Sequence, residues 1–484
     1  MWPATAVRAD RIGQHALRSG YADLLIIGNG IAGFIAAVEA RRYAPDADIL
    51  LVTAQNHPTI NTPALKQFGA GRLDVEQLLA YPPGIEHQLR IGVVHLRAER
   101  LNIFARQVQL ETGHTIKYGR LLLATGARPT GLPLDCPGRD FDGVITLHRL
   151  ADYLDLRRRL PTVAAAVVTG GGYHAAETAL LLRQWRLQVT WLIRGRRFLS
   201  RLLDEPASDM LLHHVQRLGV EVRRETEIAG IVGRIGATAG VVTTANQFIP
   251  CQLVVACTGV RPAVDLVEGT GLTASSDSCS PGGQKREGKR STELSAVSAG
   301  ILVNEYLQTA APDIFAAGDV AAVPDPLTGR HETRAQWYAA FQQGRLAAAA
   351  LTGAPVLVNT ATGALGAFWH ATQIGALNVL AAGAPMLSER DHPDNEVLVE
   401  SSASCYRRIV VRHDRLIGYL AVGYGLADSM AIKRLIDEQI DIRDCKRQLL
   451  TADFDARAFF TKRQLYALQA AAPYAGRQRL AVGF

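Results

Sequence analysis

Two glycine turns carry the chemistry most legible in this chain. The first, Gly28-Asn29-Gly30-Ile31-Ala32-Gly33, follows the apolar run Leu24 to Ile27. The second, Gly170-Gly171-Gly172-Tyr173-His174-Ala175, comes about 140 residues later and follows Val167-Val168-Thr169. In such a turn the first glycine lets a strand bend sharply into a helix, the second lets the backbone approach a pyrophosphate, and the third allows close helix–strand packing. The helix N-terminus adds unpaired N–H groups and a partial positive charge for the phosphates. Gly28, Gly30, Gly33, Gly170, Gly172 and Ala175 are therefore candidate nucleotide-binding positions. Two turns imply two nucleotides on one polypeptide, an arrangement that suits hydride transfer from a nicotinamide to a flavin.

The elements that must position these turns alternate strand and helix. Ile49 to Thr53 reads as a second strand, and Leu121-Leu122-Leu123-Ala124-Thr125-Gly126-Ala127-Arg128-Pro129 as a buried strand ending in a glycine turn. A helix with Leu150, Tyr153, Leu154 and Leu160 leads into the second unit. That unit repeats the plan with a strand Gln188 to Ile193 and a closing Leu253 to Pro262. The two units end alike, in Ala-Thr-Gly-Ala-Arg-Pro and Cys-Thr-Gly-Val-Arg-Pro. Thr273 to Gly300 is polar and breaks the pattern; it reads as a flexible insertion, an ordered loop being the alternative. Ile301 resumes a strand, and Ile314 to Val320 follows. Beyond about Gly353 the character changes. Ser404 to Gly425 reads as a hairpin turning at His413-Asp414, followed by a helix with Met430, Ile432 and Leu435.

Bulk properties narrow the class. The chain has 484 residues, 48% hydrophobic and 20% charged, enough for about three folded domains. Its six cysteines are scattered without metal-ligand spacing, which suits a reducing, cytoplasmic setting. Met1 to Gly20 lacks the apolar core of a secretory signal and reads as a flexible extension. Leu346 to Ser388 lacks Lys, Arg, Asp and Glu but is broken by prolines and glycines, so no membrane insertion is expected. A net charge of +7 favours acidic partners. The arginines are spread along the chain, unlike a nucleic-acid surface, so no nucleic acid is expected.

Together these residues resemble the FAD-dependent pyridine nucleotide-disulfide oxidoreductase superfamily from about Tyr21 to Gly353. Five motifs stand in that family's order: the first glycine turn, Ala124-Thr125-Gly126, the second glycine turn, Thr258-Gly259, and Ala317-Gly318-Asp319. The resemblance implies an α/β fold: two Rossmann-like three-layer nucleotide-binding domains, for FAD and NAD(P), plus a smaller α+β C-terminal domain. The expected layout is a flexible extension at 1–20, an FAD-binding domain at 21–148 and 301–353, an NAD(P)-binding domain at 149–271, a flexible insertion at 272–300 and the C-terminal domain at 354–484. Thr125, Gly126, Thr258, Gly259 and Gly318 would line the cofactors, and Asp319 would bind the ribityl chain of FAD.

The departures from the family are informative. Its members usually carry an acidic residue after the second strand, on the adenosine ribose; here the candidates are the neutral Thr53 and Gln55. The disulfide reductases carry redox cysteines near the flavin, but here His57 to Gly69 contains none. The chain thus resembles the cysteine-free branch, ferredoxin and rubredoxin reductases and nitrite reductase-type NAD(P)H flavoproteins; the branch's usual arginine before the proline is Thr62. The Tyr406 to Lys446 stretch resembles the small C-terminal domain of the nitrite reductase-like members, yet no haem or cluster ligand set is visible, so no metal is expected.

The expected activity is an NAD(P)H:acceptor oxidoreductase, with hydride passing from nicotinamide to flavin and then to a carrier or small acceptor. By the family match, Lys66 or Gln67 would reach the flavin's reactive nitrogen and Glu177 would lie near the nicotinamide, making Lys66 and Glu177 the catalytic candidates. A solvated lysine and a first-turn helix stabiliser are the plainer alternatives. Trp337 would lie near the flavin or in the core. Arg194, Arg196 and Arg197, where an acidic residue would select NADH, favour the 2′-phosphate of NADPH over a role as a solvated turn. The carrier would be acidic, such as ferredoxin or rubredoxin, and a homodimer is compatible with the family. The rival from another class is a flavin-binding redox sensor or scaffold with little turnover.

Overall fold

The apolar runs flanked by glycine become the central strands of two parallel sheets. The computed structural model describes residues 9–273, 300–325, 330–356, 363–425, 428–451 and 454–463. Most of the expected insertion, including Cys279, lies outside them.

In the first sheet the order runs Ile91–Val94, Ile49–Val52, Tyr21–Ile27, Thr115–Leu123 and Ile314–Ala316, all parallel. The strand Thr115–Leu123 also pairs antiparallel with Gln107–Leu110, which extends the sheet into a meander. Leu24 to Ile27 align with Ile49 to Val52 on one side and with Arg120 to Leu123 on the other. These residues are fully or nearly fully buried apart from Arg120, as expected of a sheet covered on both faces. The late strand Ile314–Ala316 completes the sheet, so the first nucleotide fold is discontinuous in sequence. The helix Trp337–Thr352 packs on Ile31–Tyr43 with Gly344 at the contact, where a Cβ would lie 2.4 Å from Ala32 O.

The second sheet repeats this order as Glu221–Arg224, Gln188–Ile193, Ala165–Thr169, Leu253–Ala256 and Val144–Ile145. A three-stranded antiparallel sheet, Ile228–Arg234, Ala237–Thr243 and Phe248–Pro250, forms a further layer around a shared core that includes Val167, Leu192, Ile231, Val241 and Val254. The two similar motif endings pair with each other: Ala127–Pro129 runs antiparallel to Val260–Pro262, with Arg128 opposite Arg261. The weak repeat in the sequence thus becomes a two-stranded ribbon between the two folds.

The C-terminal unit is an antiparallel five-stranded sheet in the order Trp369–Ile374, Leu377–Gly383, Arg415–Gly423, Cys405–Arg412, Asn395–Ser401. The hairpin turns at His413 and Asp414, both with positive φ (49° and 57°), as a two-residue connection between right-twisted strands requires. Asp428 caps the following helix Ser429–Asp437 by accepting from the N–H groups of Met430 and Ala431. Ile432, Leu435 and Ile436 of that helix are buried against the sheet.

Three boundaries differ from expectation. Residues 11–19 form a helix rather than a free extension. Its polar sequence hides an apolar face, Ile12, Ala16 and Leu17, that gains stability only when docked. Asp10 fixes it twice, accepting from Gly13 N at 2.6 Å and from Val93 N at 3.2 Å. Val144–Ile145 joins the second sheet although it was assigned to the first domain; two residues show no periodicity. The compact units divide after Gly366 rather than Gly353, and 201–214 group with the C-terminal unit.

Replacing Asp10 with alanine removes the cap and the contact to the edge strand. We expect a loss of about 1–2 kcal/mol, read as a thermal midpoint lowered by a few degrees; an unchanged midpoint would show that the helix contributes nothing to the fold.

Candidate functional site

The three positions of the first turn behave differently. Gly28 has φ +116°, and a Cβ there would sit 2.1 Å from Ala124 O. Gly33 would put its Cβ 2.0 Å from Gly28 O. Gly30 meets nothing within 4 Å. Two glycines are therefore demanded by the fold, whereas the middle one opens onto free space at a helix N-terminus. The second turn repeats the arrangement. Gly170 (φ +141°) would place a Cβ 2.1 Å from Cys257 O, while Gly172 faces open space. Ala175, at the third position, is fully buried, so the helix–strand approach here accommodates one methyl group.

Around the first turn, Thr125 donates to Ala263 O at 2.8 Å and Gly126 O accepts from Ala263 N at 2.9 Å. Gly126, with φ +73°, holds the end of its strand there. Asn29 is buried and accepts from Thr59 Oγ1 at 2.7 Å. Thr53 is buried, and its hydroxyl accepts from Gln55 N at 3.1 Å. Gly318 turns with φ +81° and donates its N–H to the fully buried Gln343 at 2.6 Å. The next residue, Asp319, has no hydrogen-bond partner among the described residues, and burial pushes its carboxyl up to about 6. Trp337 stacks on Phe341 with centroids 5.6 Å apart, and its Nε1 is buried without a partner among the described residues. A half-buried carboxylate acceptor, an orphaned indole donor and an open glycine cradle are groups that a flavin dinucleotide would satisfy. The residues present fit FAD.

Lys66 and Glu177 are brought together. Lys66 lies on the short helix Leu65–Gly69 and Glu177 in the helix Tyr173–Gln184 of the second fold; their side chains form an ion pair. The segment carrying Lys66 is docked by further contacts. Trp185 Nε1 donates to Gly69 O at 3.0 Å, and Arg72 reaches Gln184 at 2.6 Å. At Gly69 a Cβ would meet Leu181 and Tyr153 at 2.9 Å. His174 is held neutral first by burial, then by the Lys66 charge.

Arg194 and Arg196 are exposed and Arg197 is half-buried, directly after the strand Gln188–Ile193. Their loop returns to the second turn, where Leu199 N donates to Gly171 O at 2.9 Å. Thr258 donates to Gly131 O at 2.6 Å, and Gly259 turns with φ +113°.

Sequence reasoning missed two histidines at the strand ends. His57 Nδ1 lies 2.8 Å from Pro58 O and His95 Nδ1 lies 2.7 Å from Gln55 O. The available signal was a histidine directly following the apolar run Ile91 to Val94. Four of the five described cysteines are buried and unsuited to thiolate chemistry. Burial pushes Cys251 and Cys257 up to about 12 and Cys445 to about 11, and raises Cys136. Among the described residues no cluster could hold a metal ion, and no helix is long and apolar enough to cross a membrane.

Known proteins are similar to this chain. The family described as pyridine nucleotide-disulphide oxidoreductase matches residues 22–279 and 284–344. The biphenyl dioxygenase system ferredoxin–NAD(+) reductase component of Paraburkholderia xenovorans is 29% identical over 339 residues, 69% of this chain and 75% of its own length. Rhodocoxin reductase of Rhodococcus erythropolis is 29% identical over 438 residues, 90% of this chain and 93% of its own. The crystal structure of the covalent putidaredoxin reductase–putidaredoxin complex aligns with a TM-score of 0.76 and 23% identity, over 91% of this chain and 98% of that one.

Two outcomes follow from the geometry. Gly30→Val should fold normally yet lose bound flavin, because the added side chain occupies ligand space rather than protein space; a yellow Gly30→Val protein would contradict this. For Asp319, the folded value of about 6 exceeds the ordinary 3.8, so the flavin-free folded state holds this proton more tightly than the unfolded chain. Its stability therefore falls as pH rises from about 4 through about 6. Asp319→Asn should stabilise flavin-free protein by roughly 3 kcal/mol at pH 8, with little gain near pH 4, while weakening FAD binding. Urea unfolding at both pH values checks the sign.

Proposed function

The chain belongs to the pyridine nucleotide-disulphide oxidoreductase family and is an FAD-dependent NAD(P)H oxidoreductase; from that premise we propose that it reduces an acidic iron–sulfur carrier, with NADPH as the preferred donor and no protein thiol in the path. The observation that carries the thiol-free reading is the Lys66–Glu177 ion pair, whose lysine stands in the cysteine-free stretch 57–69.

Bound FAD would supply hydride-acceptor chemistry toward the reduced nicotinamide and onward electron transfer to the carrier. The chain's own residues supply position and charge. Gly30 would admit the pyrophosphate of FAD to one helix N-terminus, with Gly28 and Gly33 shaping the turn; Gly172 would do the same for the nicotinamide dinucleotide, with Gly170 and Ala175 shaping its turn. Thr125, Gly126, Gly318, Asp319 and Trp337 line the flavin side, and Thr258 and Gly259 the nicotinamide side. Glu177 holds the Lys66 ammonium through their ion pair, and that cation would supply positive charge to bound FAD. That pair is partly exposed and worth little to stability, about 1 kcal/mol or less; its value lies in orientation.

The carrier assignment rests on the net charge of +7 and on relatives whose names describe reductases of ferredoxin-type proteins. The NADPH preference rests on Arg194, Arg196 and Arg197 beside the second turn, with Ile193 at the position where an acid would repel a 2′-phosphate. The Paraburkholderia relative is named for NAD(+), so the two donors must be compared directly. Steady-state kcat/KM should be higher with NADPH, and Arg194→Ala should lower the NADPH value by roughly tenfold with the NADH value little changed. A tenfold or greater preference for NADH in the wild type would show that the arginines do not read a phosphate.

A further inference from the structure

The crevice for the distal end of a dinucleotide lies outside the carboxyl ends of the strands, and in such folds an acidic residue after the second strand accepts hydrogen bonds from the ribose hydroxyls. In the first fold those ends belong to Ile49–Val52 and Ile91–Val94. The strands are paired so that Val52 stands opposite Val94 and Thr53 N donates to Val94 O at 2.9 Å. No carboxylate serves there. The chain carries no acidic residue between Asp48 and Asp74, nor any from Ile91 to Ala98. Thr53 is buried with its hydroxyl engaged by Gln55 N.

The side chains that do stand at both strand ends are imidazoles. His95 directly follows Val94, and His57 lies on the loop after Val52. Each has its Nδ1 against a carbonyl oxygen, at 2.7 Å from Gln55 O and 2.8 Å from Pro58 O. A carbonyl oxygen can only accept, so Nδ1 carries the hydrogen in both rings. In the neutral ring Nε2 is then a lone-pair acceptor. Among the described residues neither Nε2 has a protein partner, and neither is sealed from solvent. Burial lowers the His57 pKa and a charge on His95 lowers it further, which favours the neutral His57 ring.

We propose that His57 and His95 recognise the adenosine ribose of the flavin dinucleotide, their Nε2 atoms accepting the hydroxyl hydrogens that a carboxylate accepts elsewhere. The proposal rests on the first fold being the FAD site. It accounts for the neutral Thr53 and Gln55: the acceptor function has moved from an acid on one strand end to two imidazoles whose tautomers are fixed by backbone carbonyls. Gln55 serves the pair through its carbonyl oxygen, which sets the His95 ring.

The test is equilibrium binding to flavin-free protein, read by flavin fluorescence, with FAD and with its analogue lacking the 2′- and 3′-hydroxyls of the adenosine ribose. Wild type should bind FAD roughly tenfold or more tightly than the analogue, as two neutral hydrogen bonds allow. In His57→Phe/His95→Phe that discrimination should collapse to about twofold, the analogue's affinity being nearly unchanged. Introducing Gln55→Glu into the double variant should restore part of it. His57→Phe alone disturbs only the contact to its neighbour Pro58 and should lose about half of the discrimination on a logarithmic scale, which keeps the test available if the double variant misfolds. Equal discrimination in wild type and variants overturns the proposal while leaving the FAD site intact. A wild type that binds neither ligand overturns the FAD reading itself.

Discussion

The architecture depends on a backbone contact made twice. Gly28 and Gly170 each turn so tightly that a Cβ would lie 2.1 Å from a carbonyl oxygen, of Ala124 in one fold and of Cys257 in the other. Each carbonyl belongs to the residue just before a Thr-Gly pair. That approach brings the first strand's turn against the end of the neighbouring strand, and so aims the following helix N-terminus at the crevice. An L side chain at either glycine would meet both a forbidden φ and an immovable backbone. Because the contact is duplicated, the two Thr-Gly ends lie alike in their folds, and the chain beyond them pairs as the ribbon Ala127–Pro129 with Val260–Pro262.

What the two folds share by repetition they also join by side chains. Lys66 and Glu177 meet across them, and Trp185–Gly69 and Arg72–Gln184 fasten the same segment. None of these contacts is strong alone; several on one short stretch remove its freedom to move independently. A cation held in this way needs no covalent relay, which agrees with described cysteines that are, apart from the half-buried Cys405, buried and poorly acidic. Arg41 shows the same economy away from the site. It is buried without a carboxylate and donates to the carbonyls of Leu89, Ala44, Pro45, Ala47 and Arg90, tying a helix end to the edge strand.

The parts of this molecule legible in its sequence are those in which local chemistry and tertiary role coincide. The closure of the first sheet by Ile314–Ala316 is reached only through the family resemblance, whereas the glycine turns, the strand Gln188–Ile193 and the hairpin at His413-Asp414 each carry a local reason for their shape. The helix at 11–19 does not. Its stability comes from Val93 and Asp10, more than eighty residues apart in the chain, and its own composition looks soluble and unstructured. Val144–Ile145 is a strand only because Leu253–Ala256 is there to pair with it. The family resemblance singles out Lys66 and Glu177 separately, one for each cofactor; the ion pair between them is not legible in the sequence. The tethers of His57 and His95 were not reached at all, because a carbonyl fixing an imidazole leaves no mark on spacing.

The central claim, hydride delivery to a flavin without a protein thiol, is tested most directly by anaerobic titration with NADPH and NADH. The protein to use has all six cysteines replaced by serine or alanine, with FAD content and folding verified first. The account predicts stoichiometric bleaching of the flavin band at a rate close to that of the unaltered protein. A folded, FAD-loaded variant whose flavin stays oxidised would contradict it.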